Sequence, residues 1–238
     1  NRYNPAIKIL KKTFEEGRFG KIILATIRLR WCRYQGYYED DWHGTWEMDG
    51  GVINQQAIHH LDALQWICGP IDTVFAMQSN ALNDLGAEDT TVATIKFSSG
   101  ALGAIEATTA ARPEDFEASL SVVGSKGLAQ LGGIAVNELQ IFSPNPDECK
   151  IYSDDFSDLP KQGRAYGRGH RETYNDISKF LIDEIPYPIP RNDCLSTIKL
   201  LNSFYKSDEL GKWVKVDNNA QSSRLGKDDK SISDLYRT

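Results

Sequence analysis

The stretch DTTVATIKFSSGALGAIEATTA, residues 89–110, decides the fold. Strand-forming residues alternate through 89–98 and again through 101–110, and Ser98-Ser99-Gly100 between them is a hairpin turn. Working outward, the same pattern predicts strands at 71–79 and 116–123, Gly124-Ser125-Lys126-Gly127 as the next turn, and shorter strands near 127–131 and 136–142. Upstream, Lys21 to Tyr34 alternates so that Ile23, Ala25, Ile27, Leu29 and Trp31 share one face and Leu24, Thr26, Arg28 and Arg30 the other. Helical spacing frames this run. Ile7, Leu10 and Phe14 mark a helix over 5–16, Gly50-Gly51 opens a second that Gly69-Pro70 closes, and two more fall at about 169–183 and 192–208 before a short strand at 212–216. Residues 35–48 read as an ordered aromatic loop and 143–168 as a long irregular connection. Strands framed by helices predict an α+β fold, a largely antiparallel, open-faced sheet carrying helices on one face. The other face is either solvated or covered by another subunit or domain, and its alternating Tyr, Phe, Val and Ile favour the second. One domain spans 1–216, and the polar stretch 217–238 is an arm or disordered.

Composition narrows the function. With 40% hydrophobic residues the 238-residue chain can bury a core, and its net charge of −6 without a basic run disfavours nucleic acid. The cysteines, Cys32, Cys68, Cys149 and Cys194, have neither disulfide nor zinc spacing, which suits reduced thiols in the cytoplasm. No signal peptide or membrane-spanning run is present, and a G-x-G-x-x-G dinucleotide fingerprint is absent. The chain enters a helix directly from Asn1 without an initiator Met, which predicts a fragment whose preceding part is missing.

The chemistry concentrates in DGGVINQQAIHHLDALQW, residues 49–66. At helical period His59, Asp62 and Trp66 fall within roughly 40° of Gln55, forming one stripe opposite Ile53, Ala57, Leu61, Leu64 and Cys68. His60 points away, so the His-His pair lacks metal-ligand spacing and no metal is expected. The plainer interpretation is a solvated face with an i, i+3 pair of His59 and Asp62. Trp66 on the stripe, and Tyr37, Tyr38, Trp42 and Trp46 in the preceding loop, point instead to a walled cleft in which an imidazole beside a carboxylate moves protons. Arg28, Arg30 and Arg33 could bind an anion or simply form cross-strand ion pairs. Tyr166-Gly-Arg-Gly-His170, before a helix start, is a third candidate, or a plain helix-start loop.

These residues resemble the Gfo/Idh/MocA oxidoreductases, specifically their C-terminal substrate domain. The resemblance rests on NPAIKILKKTFEEGRFGKI at 4–22, the Gly50-Gly51 to His59 to Asp62 run, WICGP at 66–70 and VVGSKGLAQL at 122–131, and it reaches to about 216. NRYNPAI at 1–7, RWCR at 30–33, YY at 37–38, WHGTWEMDGGVINQQAIHHLD at 42–62 and YGRGH at 166–170 are similar to the branch that oxidises C3 of UDP-N-acetylglucosaminuronic acid for bacterial surface polysaccharides. The family's usual Asp is Gln55 here, which favours the nucleotide-sugar branch over a polyol or inositol enzyme.

The resemblance implies hydride transfer to NAD, with NADP not excluded. The cofactor would be bound mainly by a Rossmann domain outside this chain, which also supplies an assisting Lys. His59 would handle the proton, Gln55 would hydrogen-bond sugar or nicotinamide, and Asp62 would be a partner within the helix. Substrate contacts would come from Arg2, Asn4, Arg30, Arg33, Tyr37, Tyr38, Trp42, Trp46, His60, Tyr166 and His170. The open sheet face would make a homo-oligomer. Two other classes remain: a non-catalytic oligomerisation or binding module, and a metal-dependent isomerase or hydrolase, which the ligand spacing disfavours.

Overall fold

The computed structural model describes residues 1–159 and 167–227. Helix α1 (Pro5–Glu15) buries Ile7 and Leu10, starts with Pro5 in its first turn and stops before Gly17. Strand β1 (Ile22–Arg30) follows, then a 3-10 turn at Gln35–Tyr37, α2 (Val52–Gln55) and α3 (Ile58–Cys68). The strands β2 (Ile71–Ser79), β3 (Thr90–Phe97), β4 (Leu102–Thr108), β5 (Glu117–Gly124), β6 (Leu128–Gly132) and β7 (Glu138–Phe142) match the alternation in the sequence. A 3-10 turn at Pro146–Glu148 and α4 (Cys149–Tyr152) occupy part of the long connection, before α5 (Gly169–Asp183), α6 (Arg191–Leu210) and the two-residue β8 (Val214–Lys215).

The eight strands form one sheet in the order β7-β6-β5-β1-β4-β3-β2-β8. Among the described residues only β1 and β4 pair in parallel, and every other neighbouring pair is antiparallel. The mainly antiparallel, open-faced α+β architecture is the one the sequence predicts. Helices α3 and α6 pack on one face, with α1 against α3, over a core that includes Ala25, Ile27 and Leu29 of β1 and Leu61, Leu64 and Cys68 of α3. The opposite face is open. It carries Leu24, Val92, Leu102 and Met77, with Arg28 and Arg30 both paired to Glu106 in the middle.

Three local features differ from the simple pattern. The register of β1 against β5 shifts between Ile22 and Leu24, so Ile22 is buried while Ile23 is exposed, reversing the side expected for Ile23. The motif helix is not continuous: the Ala57 amide donates to the Val52 carbonyl, an i→i−5 π-type turn that divides α2 from α3. Residues 217–227 of the expected free arm are laid against the body. The Gly226 amide donates to the Trp46 carbonyl, and the Arg224 guanidinium lies 5.5 Å from the Trp46 ring centre and bonds Asp208. Helix α5 buries none of its residues and exposes Tyr174, Phe180, Leu181 and Ile182.

Candidate active site

The first turn of α3 delivers His59 to a cavity of about 360 Å³ formed where α3, the chain start, α5 and α6 converge. Its polar lining includes Arg2, Asp62, His170, Thr173 and Thr197, and its apolar part includes Ile58, Ile189 and Ile198. Helical geometry explains His59 and Asp62 together, since an i, i+3 pair shares one face. The surrounding protein lowers the pKa of His59 by desolvation, which favours the neutral imidazole and outweighs the opposing charge of Asp62.

Asp62 engages a residue far away in sequence. Arg2 Nε and Nη2 donate to its two oxygens at 2.7 Å each, Arg2 Nη1 donates to Asp193 at 2.6 Å, and the Thr197 hydroxyl donates to Asp62 at 3.0 Å. Asp62 acts electrostatically on His59 within its own helix, and its hydrogen bonds add partners from the chain start and α6. A bidentate guanidinium, itself 5.2 Å from the Trp66 ring centre, holds it and ties the chain start to α3 and α6. Arg2 and Thr197 also border a second cavity of about 470 Å³, walled in part by Trp66, Lys11 and Pro188.

The other expected site residues are distributed as follows. His170, at the start of α5, lines the cavity with His59. Gln55 is half-buried and does not line it, because the π-type turn inserts a residue and breaks the stripe assumed for a continuous helix. His60 is buried against Trp31 at 5.8 Å between ring centres, and desolvation pushes its pKa down to about 3, so it has no surface for a substrate. Asn4 is buried and donates to the Ala135 carbonyl. Tyr38 is buried and bonded to Thr109, and Trp46 is buried against Tyr205. Arg30 lies on the open sheet face, held by Glu106 and Glu117, too far round the sheet to join the cavity lining. Tyr166 lies outside the described residues.

The aromatic loop does not wall the His59 cavity; α5 and α6 do. It builds a separate stack. His43 sits 4.2 Å from Tyr37 and 3.6 Å from Trp42 between ring centres, with its Nδ1 2.6 Å from Asp40. Arg33 covers Tyr37 and Trp31 and pairs with Asp115. Sequence reasoning missed Thr173 and Thr197 in the cavity and Asp193 behind it on Arg2, which only the return of α5 and α6 brings there. The acidic first turn of α6 was a usable hint for Asp193. Among the described residues, no three His, Cys, Asp or Glu side chains gather as a metal would need.

The C-terminal-domain profile of the GFO/IDH/MocA proteins matches residues 7–130. The chain belongs to the GFO/IDH/MocA family. It is 32% identical to the WlbA dehydrogenase from Bordetella pertussis, whose crystal structure is a complex with NADH and UDP-GlcNAcA; the similarity covers 90% of this chain and 62% of that one, with a TM-score of 0.83. The WlbA enzyme from Chromobacterium violaceum, crystallised with the same two ligands, is 31% identical over 92% of this chain and 61% of its own, with a TM-score of 0.79. Levoglucosan dehydrogenase of Pseudarthrobacter phenanthrenivorans is 24% identical over 174 residues, 59% of this chain and 42% of that protein. The chain therefore spans about two fifths to three fifths of the length of these relatives. It is related to dehydrogenases of this family whose structures hold NADH.

This chain does not fit a dinucleotide by itself. Its sheet is antiparallel apart from one pair, and among the described residues there is no Gly-rich turn between a parallel strand and a helix of the kind that cradles a pyrophosphate. Among the described residues no helix is long and apolar enough to cross a membrane.

Proposed function

We propose that this chain is the substrate-binding half of an NAD-dependent dehydrogenase that oxidises a sugar hydroxyl, at C3 of a UDP-N-acetyl-hexosaminuronate. The observation that carries the reading is His59 at the start of α3, facing a cavity of a size that takes a sugar ring, with its pKa lowered by the surrounding protein. The similarity to two enzymes crystallised with UDP-GlcNAcA supports the choice of sugar. In this reading His59 Nε2 or Nδ1 accepts the hydroxyl proton as the C–H hydride leaves for NAD, which is carried outside this chain. Three of Arg2's five N–H groups go to Asp62 and Asp193, leaving two for a carboxylate or phosphate oxygen of the substrate. Gln55, set back from the cavity, is left as a hydrogen-bonding group for the substrate's outer part or the cofactor.

The apolar share of the lining and the similarity to levoglucosan dehydrogenase favour a second reading, a neutral sugar without anionic groups. Titration of the full chain distinguishes the two. UDP-GlcNAcA should shift the His59 and His170 imidazole resonances, with the effect weakened in Arg2→Lys. A shift by levoglucosan alone would support the second reading, and no shift by either would remove the cavity as a sugar site. We place a homo-oligomer contact on the open sheet face, where Leu24, Val92, Leu102 and Met77 surround the Arg28, Arg30 and Glu106 cluster. In that reading the protein works in the cytoplasm.

A further inference from the structure

The start of α2 is held by a buried cluster that the proposed chemistry does not use. The first amides of a helix have no partner within it. Here three consecutive ones are captured from outside. The Gly51 amide donates to the Tyr205 hydroxyl at 3.1 Å, the Val52 amide to the Glu88 backbone carbonyl at 3.0 Å, and the Ile53 amide to Glu88 Oε1 at 3.0 Å. Tyr205 closes the ring by donating to the same Oε1 at 3.1 Å. Glu88 and Tyr205 are both buried, and Glu88 Oε2 is buried without a hydrogen-bond partner. The contact requires Gly51: a Cβ there would lie 1.9 Å from the Glu88 carbonyl oxygen and 2.4 Å from Oε2. Gly50 beside it has φ +73°, the left-handed region glycine adopts freely.

Six residues beyond Ile53, about 9 Å of helical rise, comes His59, joined through the π-type turn at Ala57. We propose that Glu88, acting with Tyr205, is the positioning residue for His59: it fixes the first turn of α2 and thereby the orientation in which α3 presents the imidazole to the cavity. The proposal rests on the reading of His59 as the proton acceptor only for its catalytic consequence.

The cluster is also titratable. Burial pushes the Glu88 carboxyl up to about 8, with Asp208 adding to the effect, while the bonds from Ile53 and Tyr205 oppose it. The groups facing it are Tyr205 and Asp208 of α6, Asp49 from the preceding loop and Arg224 from the 217–227 segment, the last paired with Asp208 beside a cavity of about 100 Å³. Asp49, raised to about 6 by its own burial, titrates separately. Ionising Glu88 strengthens the bonds that Oε1 accepts from the Ile53 amide and the Tyr205 hydroxyl while leaving charge on the buried, unpartnered Oε2, and so changes the turn these groups anchor.

The test is a pH titration of the full chain by NMR, labelled at backbone nitrogen and histidine carbon. The amides of Gly51, Val52 and Ile53 should shift with one midpoint near the Glu88 value, and His59 should show a second inflection there besides its own. Glu88→Gln should abolish both, leaving the intrinsic His59 titration. Tyr205→Phe, a milder change that keeps the ring packing, should move the shared midpoint upward, because a bond favouring the carboxylate is lost. The proposal is overturned if His59 shows no such inflection, if the inflection survives in Glu88→Gln, or if Tyr205→Phe leaves it in place. Failure of UDP-GlcNAcA and levoglucosan to perturb His59 would count against the functional reading alone, since the Glu88 signal needs no ligand.

Discussion

His59 and His60 are adjacent in sequence and opposite in environment. Helical geometry turns one into the cavity and the other into the core beside Trp31, where burial makes the charged imidazole costly. An unfolded chain protonates His60 near 6.5 and the folded chain only near 3, so stability is present above 6.5 and lost as pH falls between those values. His60→Leu should therefore flatten the acid side of the stability curve, read as urea midpoints from pH 7 to 4. Asp62 belongs to the same scale. Its bidentate bond with Arg2 is mostly buried, and Asp62→Ala leaves the guanidinium half-paired, with an expected loss of roughly 2–3 kcal/mol in urea unfolding and a smaller one for Asp62→Asn. Helical spacing was enough to show that His59 and His60 diverge. It could not show Asp62's partner, because Arg2 lies 60 residues away and only the packing of the chain start on α3 and α6 brings it there.

At the scale of the element, strands were legible because a period of two leaves little choice of face once one side is buried. The fault in β1 at Ile22 to Leu24 was not, since a bulge changes register without changing composition. The motif helix failed in a related way. Nothing in VINQQAIHH signals the extra residue in the turn at Ala57, yet it removes Gln55 from the His59 stripe. The double glycine was readable as the opening of the helix, but what packs against it, Glu88 just before β3 with Tyr205 from α6, came only from the fold. Gly51→Ala should cost about 3 kcal/mol or more, as overpacking against backbone does, measured by chemical unfolding against an exposed control such as Gly36→Ala, where a Cβ meets nothing.

For the whole molecule, one sheet separates two tasks. Its covered face, through α3 and α6, builds the His59 cavity, and its open face presents apolar side chains around paired charges. If the open face joins copies of this chain, Leu102→Glu should lower the sedimentation mass without shifting the thermal unfolding midpoint by more than a few degrees, because Leu102 is already exposed in the single chain. Tertiary closure also explains why aromatic residues near the motif were misleading. Tyr37, Trp42 and His43 stack among themselves, while the cavity is closed by helices more than a hundred residues downstream. In the proposed function His59 takes the proton when a UDP-N-acetyl-hexosaminuronate is oxidised. The direct measurement is NADH formation from UDP-GlcNAcA by a protein carrying this chain together with a nucleotide-binding domain, compared with its His59→Ala variant. Turnover should fall roughly 10²–10⁴-fold in the variant. An unchanged rate in His59→Ala, or turnover of levoglucosan and not of UDP-GlcNAcA, would contradict it.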